Sequence, residues 1–161
     1  MLGLNAREWW GLIGFLAVVA AVQGLASWLT FPAVREWYPT LARPTWTPPD
    51  WVFGPVWTAL YLMMAVAAWW VWRTGGWANA RLALSLFALQ LALNAAWSGL
   101  FFRLRSPAAG LVDILLLWIA IAATLLAFRR HSAVATWLLV PYFVWVSYAA
   151  ALNFALWRMN R

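Results

Sequence analysis

The chain has 161 residues, of which 66% are hydrophobic and only 9% charged, with a mean hydropathy of +0.77. Roughly a quarter of a soluble domain is charged, so this composition excludes a water-soluble globule and specifies an integral membrane protein. Cysteine is absent and all eleven basic residues are arginine, with a formal charge of +7. Thiol, disulfide and cysteine–metal chemistry are therefore excluded. The arginines are scattered in ones and twos, which does not make the basic tract of a nucleic-acid binder. They read instead as helix-end anchors that snorkel to the headgroups.

A hydrocarbon core of about 30 Å needs roughly 20 apolar residues per helix. Five stretches qualify, and they predict an all-α, five-helix transmembrane bundle forming a single domain over 1–161. The first span, 8–30, carries Arg7, Glu8 and two tryptophans at its front and no small-residue cleavage site behind, so it reads as retained. A long connection follows over 31–50, with the stretch ARPTWTPPDWVFGPVWTALY at 42–61 running into the second span, 51–72. In TPPD, Thr47 suits an N-cap, Pro48 the first helical position and Asp50 the third, which predicts a capping box. Pro55 is expected to loosen an early turn of that helix. A joint this rich in proline is stiff, and is expected to fold over one end of the bundle as a lid.

The third span, 80–102, has two faces at about 100° per residue. Ser85, Ala88, Ala92, Ala95, Ala96 and Gly99 lie on one, a surface of small residues suited to helix–helix contact. Gln90, Asn94, Trp97, Ser98 and Phe101 lie on the other. That face is either a cross-link within the bundle or the wall of a ligand pocket. In the fourth span, 107–128, Asp113 is the one acidic residue inside a span. An intramembrane carboxylate is a functional candidate, although Arg103, Arg105 or interfacial water could equally satisfy this one. Pro141 in the fifth span, 134–157, frees the carbonyl of Trp137. Five spans put the two ends of the chain on opposite sides of the bilayer. Five loop arginines against six leave the orientation open.

Sixteen tryptophans are far above ordinary usage. Trp9, Trp10, Trp28, Trp69, Trp70, Trp72 and Trp157 stand near span ends and suit the aromatic belt. Trp57, Trp97 and Trp145 stand deeper and are candidates to line a cavity. His131 is alone between loop residues, so no metal site is expected. No catalytic triad, phosphate-binding glycine loop or paired carboxylate is visible.

The segments RPTWTPPDWVFGPVWTALY, LQLALNAAWSGLFF, GLVDILLLW, PYFVWVSYAAALNFALWR and WYPTL resemble the tryptophan-rich sensory protein/translocator protein family, also called peripheral-type benzodiazepine receptors. The match runs in order from about 37 to 158, and its most specific element is Trp46-x-Pro-Pro with Trp57 eleven residues on. The resemblance implies a five-helix bundle, usually dimeric, with a ligand cavity under the first connection. It implies protoporphyrin IX and related porphyrins, isoquinoline carboxamides and benzodiazepines as ligands, with no cofactor, and a link to tetrapyrrole transport or regulation. Carried over by position, the cavity would be lined by Tyr38, Pro48, Trp57, Asn94, Ser98, Trp145 and Ala149. Trp57 and Trp145 match tryptophans implicated in light-dependent porphyrin breakdown. Asn94 and Ser98 fall on the polar face of the third span, which favours the pocket over the cross-link. The family's cholesterol pattern needs a tyrosine where LNFALWR has Phe154, so cholesterol is not an expected partner. The short tail suggests a bacterial member, with inner and outer membrane both open.

Three functions compete: a porphyrin-binding membrane sensor, an enzyme that degrades porphyrin under light, and a scaffold whose cavity holds lipid. The small-residue face, through Ala88, Ala92 and Ala96, is the expected homodimer contact.

Overall fold

The computed structural model describes residues 3 and 5–161. Five helices follow one another: α1 Ala6–Glu36, α2 Asp50–Asn79, α3 Arg81–Ser98, α4 Pro107–Arg129 and α5 Ala133–Met159. All five are long and apolar enough to cross a membrane, so the protein is a multi-pass integral membrane protein.

Local chemistry explains most of the boundaries. The Asn5 side chain accepts the Glu8 N–H at 2.9 Å, and the Glu8 carboxylate accepts the Asn5 N–H at 2.9 Å, a reciprocal cap that starts α1. Ser106 and Ser132 cap α4 and α5 through the backbone N–H groups of Ala109 and Ala135. Helix α3 ends in one wide π-turn, Gly99–Arg103, and the chain then reverses through Arg105 at φ 53°.

Two expected boundaries shift. Helix α1 does not stop at 30. It runs past Pro32 to Glu36, because a proline removes only its own N–H bond while the turns on either side persist. The connection thus shrinks to 37–49 and contains a short 3-10 turn, Tyr38–Thr40. Helix α2 continues to Asn79, broken only at Gly76, whose φ of 64° and ψ of 178° suit glycine. Pro55 leaves the backbone helical.

The capping box at TPPD does not form. Pro48 precedes a proline and is held out of the helical region, so the helix begins after Pro49, and Asp50 is its first residue. The Thr47 hydroxyl donates instead to the Pro44 carbonyl at 2.8 Å.

Helix α2 is the central pillar, with Met64, Ala65, Ala67, Ala68 and Val71 wholly buried. Small side chains there let helices approach closely, which matters where lipid supplies no hydrophobic drive. The approach is tightest to α1: a Cβ at Gly11 would stand 2.2 Å from the Trp72 ring. Trp69 and Trp72 therefore leave the expected aromatic belt and lie in the core, 4% and 7% exposed. The Trp69 indole donates to the Glu8 carbonyl at 2.9 Å, and Arg73 pairs with the Glu8 carboxylate at 2.5 Å. Trp9, Trp10 and Trp28 do face outward.

Candidate functional site

The packing leaves a cavity of about 540 Å³ near the end of the bundle that carries the 37–49 connection, enclosed by α1, α2, α3 and α5. Its volume falls in the range of roughly 300–1,000 Å³ typical of small-molecule sites. The lining is mostly apolar and aromatic, with a few polar groups from Gln23, Ser27, Thr30, Asn94, Ser98 and Asn153.

Asn94 sits at the inner end. Its Oδ1 accepts the Tyr61 hydroxyl and its Nδ2 donates to the Tyr142 hydroxyl at 2.9 Å, so one amide ties α2, α3 and α5. Asn94 thus cross-links the bundle and lines the cavity at once, where the sequence offers the two as alternatives. One turn earlier on α3, Gln90 is buried against Met64 and does not reach the cavity. Trp97 stacks on Phe101 at 5.2 Å, and its indole donates to Asn153 Oδ1 at 3.0 Å. Asn153 in turn donates to the Pro107 carbonyl at 2.8 Å, which fixes that wall to the start of α4. Trp57 lies against the rings of Tyr61 and Tyr142, at 5.7 and 6.2 Å.

Tyr38, Trp57, Asn94, Ser98 and Ala149 meet in this one cavity. Pro48 and Trp145 do not line it. Pro48 lies instead in a separate shallow depression with Arg43 and Thr47. On α5, Trp145 lies one turn from Ala149 but is separated from the cavity by Phe53. The Trp145 ring packs edge-on to Phe53, which does line the cavity, and its indole nitrogen is buried without a partner.

One wall is unanticipated. Helix α1 contributes Gln23, Ala26, Ser27, Thr30, Phe31 and Val34. The signal was available: Gln23, Ser27 and Thr30 form a polar stripe at helical spacing within an apolar span.

At the outer end Tyr38 is buried beneath the Arg43 guanidinium, 5.2 Å from its ring. Burial raises the Tyr38 hydroxyl above the usual tyrosine pKa, and the nearby Arg43 charge opposes that rise. Arg43 also pairs with Asp50 at 3.4 Å. Asp113 is 5% exposed and lies outside the cavity, its Oδ2 buried without a hydrogen-bond partner. Among the described residues neither Arg103 nor Arg105, two of the three partners the sequence offers, pairs with it, and Arg105 pairs with Glu36 at 3.2 Å.

Residues 13–158 match the model of the TspO/MBR family. The chain belongs to that family. It is 50% identical to the tryptophan-rich protein TspO of Chlorobaculum tepidum over 139 residues, 85% of this chain and 88% of that one. It is 38% identical to the translocator protein of Sus scrofa over 158 residues, covering 97% and 94% of the two chains. A similar likeness, 38% over 151 residues, holds for the tryptophan-rich sensory protein of Cereibacter sphaeroides, covering 94% and 92%. The family match includes most of α1, beyond the stretch from 37 onward where the sequence resemblance was strongest.

Proposed function

We propose that this protein is a membrane receptor that binds protoporphyrin IX and related hydrophobic aromatic ligands in the four-helix cavity, in a sensing role linked to tetrapyrrole transport or regulation. The observation that carries the reading is the convergence of Tyr38, Trp57, Asn94, Ser98 and Ala149 on one cavity of about 540 Å³. A flat ring system suits these walls, because indole and phenyl faces offer stacking area and Asn94, Ser98 and Thr30 offer a few orienting hydrogen bonds.

A second reading, light-dependent porphyrin degradation, is favoured by one observation: Trp57 is on the wall and in ring contact with two tyrosines. An indole touching an excited porphyrin could exchange an electron with it. The third, a cavity holding lipid, predicts no saturable porphyrin site. Titration of the purified protein with protoporphyrin IX, dark and illuminated, separates the three. The receptor reading expects saturable tryptophan quenching with porphyrin recovered intact. A bilin-like product under light, lost in Trp57→Phe, supports the enzyme, and absence of saturation supports the scaffold.

A further inference from the structure

The exposed part of the cavity lining lies on α1 and α2 alone. The connection that caps it is fastened at several points. The Asn160 side chain accepts the Ala42 N–H at 2.9 Å and donates to the Ala42 carbonyl at 2.9 Å. It also donates to the Leu156 carbonyl of α5 at 2.8 Å, which fixes the amide's own orientation. Four residues beyond Ala42, the Tyr148 hydroxyl donates to the Trp46 carbonyl at 2.7 Å. The Arg43–Asp50 pair adds a tie to the start of α2.

The side walls differ from one another. No cavity-lining residue of α3 or α5 is exposed. The exposed ones are Ser27 and Phe31 on α1 and Asp50, Trp51, Gly54 and Thr58 on α2. They flank a slot between the two helices, and a Cβ built on Gly54 would meet nothing within 4 Å. Gln23 Nε2 donates to Thr58 Oγ1 at 3.0 Å and closes the slot at its inner end. From Asp50 to Thr58 the slot runs about 12 Å along α2 at 1.5 Å per residue, less than half of a roughly 30 Å hydrocarbon core.

We infer that the ligand enters and leaves sideways, from the bilayer, through the slot between α1 and the first turns of α2. The site therefore selects amphiphiles dissolved in one leaflet over solutes arriving from water. Such a molecule presents an apolar body to Phe31, Trp51 and Gly54 and keeps its polar end at the level of Asp50 and Arg43. The fastened connection then acts as a fixed roof, and exchange does not require it to lift. This inference rests on the ligand-binding reading above and adds the route and the physical class of ligand.

The test uses stopped-flow quenching of tryptophan fluorescence by protoporphyrin IX, with the protein in lipid vesicles. Gly54→Trp and Ser27→Phe place bulk in the slot from opposite sides. Each should slow association and dissociation together by about tenfold or more, so that affinity moves less than either rate. Gly24→Trp adds the same bulk to α1 at an exposed position off the cavity lining and should keep the parent rates. Asn160→Ala, which unfastens the roof, should keep them too. Faster association in Asn160→Ala overturns the inference, as do parent rates in both slot variants. If Gly54→Trp fails to fold, Ser27→Phe carries the same decision. A parent protein without saturable quenching overturns the binding reading itself, an outcome distinct from saturable binding with unaltered slot kinetics.

Discussion

Ala149 is the residue at which ligand and fold are most cleanly separated. It is half-buried on the α5 wall of the cavity, with Leu152 and Asn153 one turn beyond. Ala149→Thr adds a methyl and a hydroxyl where a planar ligand would lie. The hydroxyl can bond its own helix backbone, so stability should change by about 1 kcal/mol or less. Porphyrin affinity should fall by about 1–3 kcal/mol, roughly 5- to 150-fold, because a close-packed pocket tolerates added volume poorly. Titration with melting temperature as control checks both halves, and unchanged affinity would take Ala149 out of the binding wall. Asn94 behaves in the opposite way. Asn94→Leu leaves two buried tyrosine hydroxyls without the amide that joins three helices. A loss of about 1–2 kcal/mol is expected, visible as a lower melting temperature without ligand. Trp57 and Trp145 should also part company: Trp57→Ala should weaken porphyrin binding well beyond Trp145→Ala, since only Trp57 is on the wall. Equal losses would mean that the cavity extends past Phe53 when occupied.

Between elements, the decisive contact is that of α1 with α2. Gly11 exists to admit the Trp72 ring, and Gly11→Val would drive side-chain atoms into it. About 1–3 kcal/mol of destabilisation is expected from overpacking. A melting temperature equal to the parent's would show that the two helices can separate without loss. Trp69 and Trp72 stand near a span end, which by itself suits the aromatic belt, but α1 crosses them and places Glu8 beside Arg73 and the Trp69 indole. The same kind of limit applies at 37–49. Proline content points to a stiff connection, but its fastening depends on Asn160 and Tyr148, which lie more than a hundred residues away from their partners in the chain. Pro48 is absent from the cavity lining, because a Trp-x-Pro-Pro motif specifies rigidity and not which residues of the rigid segment face inward.

For the whole molecule, the outward face of α3 bears on assembly. Ser85, Ala88, Ala92 and Ala96 are exposed on one side of that helix, opposite the buried Gln90, Asn94 and Ser98. We propose that this face joins two copies, since small side chains allow close backbone approach between membrane helices. Ala92→Phe should then shift the protein toward monomer with helicity intact, as read by cross-linking in vesicles and by circular dichroism. An unchanged dimer fraction would assign the contact to another helix. The sequence by itself determined the solvent, the number of spans and the two faces of α3, because bilayer thickness and helical period act on each segment alone. It also determined family membership, through motifs that are local in the chain. Only the tertiary structure decided which residues share the cavity, that α1 supplies a wall, and that Trp145 stands behind Phe53. Those facts depend on how far neighbouring helices approach, and that distance is set by side chains on two helices at once, as with Gly11 beneath Trp72 and Tyr142 against Trp57.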